Sequence, residues 1–320
     1  MKAMQFPRYG GPEVLTLNEV PDPVPGPGQL LVRMQASSVN PVDWKLASGA
    51  LRFVMRIKRP ATPGFDLVGE VLQLGAGVTA FQVGQQVVAR IPETPGGAAA
   101  EKALVPAADC VLLPAGISVQ DAAALPLAGM TALQALRNDC GMKLEGESKR
   151  VLIVGGSGGV GHYAVQIAHQ AGAHVTAICS GKRAQVVREL GADVVIDYRE
   201  QDHFRSDAPY DIILDCAAKA PWASFEEVLT ETGVLSQITL DPGWIPRIAW
   251  TALASKKRIK ATMLKPNATD LKLLLDRMQD GSLKSLVGAS FDYTELAAAW
   301  QLNEKGGTLG KIGITYPESP

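Results

Sequence analysis

The run from Arg150 to Gly172 constrains this chain more than any other. Val151-Leu-Ile-Val154 is a short apolar stretch ending in glycines, the pattern of a parallel strand buried on both faces. Val160, Ala164, Ile167, Ala168 and Ala171 then recur at helical spacing, and Gly172 stands where a helix commonly stops. Between the two lies Gly156-Ser157-Gly158-Gly159-Val160-Gly161, a GxGxxG match in the strand-turn-helix setting that gives such a match its weight. Gly156 is expected to allow the tight turn, Gly158 the approach of backbone to a pyrophosphate, and Gly161 the packing of helix on strand. The helix N-terminus offers free N–H groups and the positive end of its dipole to the ligand's negative charge. Gly156 to Gly161 are therefore candidate contacts of a dinucleotide.

The next half-unit bears on which dinucleotide. His174 to Cys179 reads as a second strand, and a site that selects NAD usually ends that strand with Asp or Glu on the ribose hydroxyls. Here the place is taken by Ser180-Gly-Lys182-Arg183. With no carboxylate to repel a 2′-phosphate, and a hydroxyl and two cations to bind it, the pocket should favour NADPH. Lys182 and Arg183 as plain solvated residues opening a helix is the other reading of that stretch.

A length of 320 residues suggests about two domains, and 47% hydrophobic with 20% charged residues is ordinary for a globular chain. A formal net charge of -1 gives no bulk attraction to nucleic acid or to an anionic membrane. No apolar run is long enough to span a bilayer, and the opening Met-Lys-Ala-Met-Gln-Phe reads as a first strand rather than a signal peptide. Cys110, Cys140, Cys179 and Cys216 are scattered, as expected of packed, reduced thiols in a cytoplasmic protein. No Cys-x-x-Cys or His-x-x-x-His pair occurs, so no metal site is expected. His162 and His169, seven apart on the helix after the glycines, read as packed or solvent-facing side chains.

Along the chain, the first hundred residues read as strands and turns, at Met1 to Phe6, Val14 to Val20, Leu30 to Ala36, Leu67 to Leu74 and Val87 to Ile91. The proline-rich run from Pro21 marks an extended connector. A small, mainly-β barrel is the expected result, and for Asp43 a turn-forming side chain in an Asn-Pro-Val-Asp loop is the alternative to a functional role. Val119 to Leu136, broken by Pro126, reads as two helices. From Val151 onward strands alternate with helices, at Val175–Cys179, Val194–Ile196, Asp211–Leu214 and Val234–Thr239, which means a doubly wound parallel sheet of the α/β class. A helix at Asn267 to Gln279, another near Tyr293 to Asn303 and a strand at Lys311 to Tyr316 close the chain.

These residues resemble the zinc-independent quinone oxidoreductase branch, zeta-crystallin-like, of the medium-chain dehydrogenase/reductases. The matching stretches are Ser38-Val-Asn-Pro-Val-Asp43, Pro63-Gly-Phe-Asp66-Leu-Val-Gly-Glu-Val, Pro114-Ala-Gly-Ile-Ser, the alanine-rich run from Ala122 to Thr131, the glycine turn, Leu190 to Tyr198 and Gly310-Lys-Ile. The resemblance implies a GroES-like substrate domain at 1–122 and 268–320. It implies a Rossmann-type nucleotide domain at 123–267 inserted into it, with the cofactor in the intervening cleft. Carried over by position, Ser180, Arg183 and Tyr198 hold the adenosine 2′-phosphate, with Lys182 beside them. Asn40 and Asp43 face the substrate and nicotinamide, and Thr131 supplies a hydroxyl near the nicotinamide. The zinc branch has a cysteine near Asn40-Pro41 and Gly-His-Glu at Gly64-Phe65-Asp66, so both ligand positions are lost. The segment Gly49 to Lys58 lacks the tyrosines that many relatives place over the substrate, and Trp44, Phe53 and Met55 read either as an apolar wall in their stead or as core. Relatives often form homodimers through the sheet edge, here near Ile245 to Ala261.

Two functions of different class remain open on this reading. One is an NADPH-dependent oxidoreductase that passes hydride to a small-molecule electron acceptor, a quinone or an activated C=C. The other is a non-catalytic NADPH-binding protein with a degenerate substrate pocket. A metal-dependent alcohol dehydrogenase would need ligands that the sequence does not contain.

Overall fold

A computed structural model describes residues 1–52, 55–200, 204, 207–218, 220–239 and 242–317; Phe53 lies outside them. In chain order the first elements are β1 (Lys2–Gln5), β2 (Thr16–Glu19), β3 (Gln29–Ser38), α1 (Pro41–Ala47), β4 (Asp66–Leu74), β5 (Gln86–Arg90), β6 (Lys102–Pro106) and β7 (Cys110–Leu112). Two helices follow, α2 (Val119–Ala124) and α3 (Pro126–Gln134). Next come β8 (Arg150–Val154), α4 (Gly161–Gln170), β9 (His174–Cys179), α5 (Ala184–Glu189), β10 (Val194–Asp197) and β11 (Tyr210–Asp215). The chain continues through α6 (Trp222–Glu226), β12 (Leu229–Gln237), α7 (Ile245–Ala254), β13 (Arg258–Ala261), α8 (Ala268–Gln279), β14 (Val287–Asp292), α9 (Leu296–Lys305) and β15 (Lys311–Thr315).

Contacts divide the chain into two compact units, Met1–Ala128 with Pro266–Pro320, and Gly129–Lys265. The second holds a 6-stranded sheet in the order β10-β9-β8-β11-β12-β13. Every pairing in it is parallel. The chain starts at β8, runs outward through β9 and β10, and returns to build the other half from β11, so the order reverses beside β8. In open α/β sheets ligands bind beyond the carboxyl ends of the strands at such a reversal. The glycine turn leaves β8 at that end.

The first unit holds a 7-stranded sheet, β14-β15-β3-β4-β5-β7 with β6 also on β3. Its pairings are antiparallel except for β14 with β15. β3 organises it: β4 takes one edge, while β6 pairs with Gln29 to Arg33 and β15 with Ala36 to Ser38. The core inside includes Phe6, Leu30, Met34, Leu67, Val71, Ile91 and Trp300, which are buried. Thus the last strand of the chain completes a sheet begun by its first hundred residues. The architecture is a GroES-like unit and a Rossmann-type unit.

The structure departs from the sequence reading where the apolar signal is weak. β13 carries Arg-Ile-Lys-Ala and lies at the edge of the parallel sheet, where a strand need not be an apolar run. β12 starts at Leu229 rather than Val234, and β14 and the short β6 and β7 were not expected at all. Asn40 to Asp43 is not a loop: Pro41 occupies the first turn of α1, where its fixed φ and missing N–H suit a helix start. Trp44 packs partly buried against the core and its Nε1 donates to Asn303 Oδ1 at 2.9 Å, which supports the core reading over the apolar wall. Trp244 and Ile248 pack on the core of the second unit, while Ile245, Trp250 and Leu253 are exposed at 54%, 51% and 90%.

Candidate active site

The turn after β8 is shaped by glycines whose roles differ from the expected ones. Gly155, not Gly156, has the positive φ, 83°, that makes the tight turn. At Gly156 the limit is space, since a Cβ would lie 2.9 Å from the Ala177 Cβ of β9. Gly161 opens α4 against the turn itself, and a Cβ there would meet the Gly155 carbonyl oxygen at 2.1 Å. Residues Gly161 to Ala168 are all buried, so α4 is held rigidly behind the cradle. His162 belongs to that packing: it is fully buried and its Nδ1 hydrogen-bonds the Gly158 carbonyl at 2.9 Å. His169, on the same helix, is exposed.

At the ends of β9 and β10 the chain brings Ser180, Lys182, Arg183 and Tyr198 together. Ser180 leads into a short 3-10 turn at Gly181–Arg183. Tyr198 donates its backbone N–H to the Cys179 carbonyl at 3.1 Å, and the residue is 54% exposed. Arg183 Nη1 lies 3.4 Å from the Ser157 hydroxyl, so this turn leans onto the glycine turn. Lys182 is exposed and Ser157 buried. One element missing from the sequence reading is a carboxylate: Asp197, the last residue of β10, accepts from Arg199 here. Sequence spacing could not reveal it, because Asp197 ends the third strand of the unit rather than the second.

In the first unit, Asn40 and Asp43 are both buried, at 1% and 2% exposure. Asn40 was expected to face the substrate and nicotinamide. Its Nδ2 instead donates to Asp66 Oδ2 at 2.7 Å, and its Oδ1 accepts from Lys311. Asp66, which opens β4, also accepts from the Ser38 hydroxyl and from the Leu127 N–H at 2.8 Å. Lys311, which opens β15, further donates to the Val39 carbonyl at 2.9 Å and lies 3.5 Å from Asp66 Oδ2. Burial pulls the Lys311 ammonium down from its usual pKa, while Asp66 and Asp43 hold it up. This buried ion pair with its hydrogen bonds fixes the geometry from which α1 starts, so Asn40 is a strut of the fold. Lys311 and Asp66 stand in motifs noted in the sequence, but nothing there joins them.

Asp43 caps the same turn, with Oδ2 accepting the Asn40 N–H at 2.7 Å. Among the described residues its other oxygen, which is buried, has no hydrogen-bond partner, nor has Trp300 Nε1, and both residues line a small cavity with Ser37, Ser38, Tyr293 and Tyr316. Burial raises the Asp43 pKa to about 7. Thr131 lies on α3, is 7% exposed, and belongs to the second unit. Thr131 and the Asn40/Asp43 pair are therefore carried by different units. Lys45, half-buried, has its pKa lowered by burial, and its ammonium sits 5.7 Å from the centre of the Trp44 ring.

A parallel sheet with a glycine turn at its order reversal, joined in one chain to a GroES-like barrel, defines the class of dinucleotide-binding medium-chain dehydrogenase/reductases. Residues 26–115 match the alcohol dehydrogenase GroES-like domain family, and residues 190–312 match the zinc-binding dehydrogenase family. The chain is 38% identical over 324 residues to a chloroplast envelope quinone oxidoreductase homolog of Arabidopsis thaliana, covering 98% of this chain and 97% of that protein. It is 32% identical to the trans-enoyl reductase pgmF of Aspergillus terreus, covering 92% and 88%. The solved structure of the quinone oxidoreductase from Coxiella burnetii superimposes with a TM-score of 0.88 at 29% identity, covering 98% of this chain and 99% of that one. The chain belongs to the quinone oxidoreductase family of the medium-chain dehydrogenase/reductases, nicotinamide-dinucleotide-binding oxidoreductases.

Proposed function

We propose that this chain is an NADPH-dependent reductase that delivers hydride to a quinone or to an activated C=C of an enone or enal, without zinc. The observation that carries the coenzyme preference is the basic turn Ser180 to Arg183, held against the glycine cradle by Arg183 and flanked by Tyr198. Lysine, a guanidinium and two hydroxyls at that point suit a 2′-phosphate. The acceptor class is supported by relatives named for quinone oxidoreduction and for trans-enoyl reduction.

The residues present do not fit zinc. Phe65 cannot ligate a metal, and the Asn40 amide and Asp66 carboxylate are already engaged with the Lys311 ammonium, a buried cation that zinc would have to displace. Among the described residues no three His, Cys, Asp or Glu are grouped to hold a metal ion.

The coenzyme supplies the hydride. The glycine turn at the start of α4 would hold its pyrophosphate, and the basic turn Ser180 to Arg183 its adenosine end. Negative charge arising on the acceptor oxygen is met by hydrogen-bond donors, for which the Thr131 hydroxyl and backbone N–H groups are the candidates. The Asn40 amide, committed to Asp66 and Lys311, acts by holding α1 in place. The proton that completes reduction comes from solvent or through a relay by Asp43 or Lys45.

The test is a titration of the purified protein with NADPH and NADH, followed by loss of nicotinamide absorbance on adding phenanthrenequinone or an enone. Replacing Lys182 and Arg183 together by alanine should weaken NADPH binding by about a hundredfold and NADH binding by less than about threefold. Equal losses would return both residues to a solvated helix start. Tight NADPH binding with no turnover across a broad acceptor panel would leave a coenzyme-binding protein in place of a reductase.

A further inference from the structure

The coenzyme's phosphate end was expected to be free of carboxylates, and Asp197 breaks that expectation. β10 runs parallel to β9 with Asp197 beside Cys179. Its carboxylate therefore reaches the turn that follows Cys179, and a Cβ on Gly181 would fall 2.5 Å from Asp197 Oδ2. Glycine at 181 is what lets the carboxylate come so close. Left alone, an anion at this point would repel a 2′-phosphate that carries close to two negative charges.

Arg199 covers it. The Arg199 Nε lies 3.0 Å from each Asp197 oxygen, its Nη2 contacts Oδ2, and its backbone N–H donates to Oδ1 at 3.1 Å. Nη2 is also 3.2 Å from the Cβ position of Gly181, so the guanidinium lies against the same turn as Lys182 and Arg183. The Asp197 side chain is 15% exposed and that of Arg199 55%, so the arginine is the part of the pair that faces outward.

We propose that Arg199 is a specificity-determining residue: by cancelling Asp197 at the 2′-phosphate end of the coenzyme site, it makes a turn that contains a carboxylate acceptable to NADPH. This rests on the reading of Ser180 to Arg183 as the phosphate site. Two residues on from Asp197, Arg199 acts through that carboxylate. With the pair intact the turn presents the charges of Lys182 and Arg183; with Arg199 removed, one of these two positive charges is offset by Asp197.

The experiment is a calorimetric titration of full-length wild type, Arg199→Ala, Asp197→Asn and the double variant with NADPH and with NADH. Wild type is read first: equal affinity for the two coenzymes overturns the phosphate site itself. Where wild type prefers NADPH, Arg199→Ala should weaken NADPH binding by about tenfold or more while NADH changes by less than about twofold. Adding Asp197→Asn should bring NADPH binding back to within about threefold of wild type, and Asp197→Asn alone should not weaken it. Retained NADH binding in each variant reports that the fold is intact. An Arg199→Ala protein with the wild-type ratio of affinities overturns the proposal. So does a double variant as weak as the single one, because the arginine would then act without Asp197. Parallel loss of NADPH and NADH binding in Arg199→Ala overturns it as well, since that marks a structural role.

Discussion

One oxygen of Asp43 accepts the Asn40 N–H, and the other is buried with no donor among the described residues. Burial is the main force on this carboxyl and raises its pKa from 3.8 to about 7, against the Asn40 N–H, with Asp66 adding to the rise and Lys311 and Arg90 opposing it. An unfolded chain releases the proton near 3.8, so between there and about 7 the folded state binds more protons than the unfolded one. The stability this carboxyl contributes is then complete at low pH and is lost as pH rises through that window, by roughly 2–4 kcal/mol in all. Asp43→Asn keeps an acceptor for the Asn40 N–H and has no proton to lose. Urea midpoints should show the variant gaining on wild type by that amount between about pH 4.5 and about pH 7.5. Parallel pH profiles would mean that Asp43 ionises in the folded chain as readily as in water. The residue scale is also where sequence reading falls shortest. Asn40 and Asp43 are polar residues in a suggestive motif, yet their partners are set by Asp66 and Lys311, which only the sheet brings near.

At the scale of elements, the unit β8, turn and α4 works through contacts of backbone with backbone. Gly161→Ala puts a methyl group 2.1 Å from the Gly155 oxygen and 2.9 Å from the Gly156 Cα. Neither neighbour is a flexible side chain, so the turn must open and α4 must move off β8. The variant should lose about 2–3 kcal/mol in chemical denaturation and bind both nicotinamide coenzymes at least about tenfold more weakly. A variant as stable as wild type with unchanged titrations would show that the turn can relax without cost. This element was legible because three properties coincide locally: an apolar run, glycines and a 3.6-residue period. β13 and β10, the outer strands of the same sheet, each give a weaker signal, with one partner strand and less apolar surface to bury. Even in the glycine turn, the residue with positive φ is one position earlier than the motif suggests, because the fingerprint records spacing and not dihedral angles.

For the molecule as a whole, Lys311 ties the last strand to the first hundred residues. Its ammonium bonds Val39 and Asn40 across 272 and 271 residues of chain and pairs with Asp66. Removing one partner of a buried ion pair leaves the other charged and desolvated, which costs about 3–5 kcal/mol. Lys311→Met should therefore lower the stability of the unit formed by both chain ends by that amount. Because the chain divides into two units, the loss should show as an earlier first transition rather than a uniform shift. A melting curve superimposable on that of wild type would mean that Asp66 takes up a proton or water at no cost. The parallel sheet, the dinucleotide cradle and the basic turn after the second strand are legible in the residues alone, since each is written in neighbouring positions as apolar period, glycine spacing or local charge. That Asn40 is held by Lys311, and that Asp197 meets Gly181 under cover of Arg199, follows from the folded chain. Those contacts come from strand register and chain closure, and the partners that burial assigns to a polar group are set by the packed fold rather than by the residues beside it.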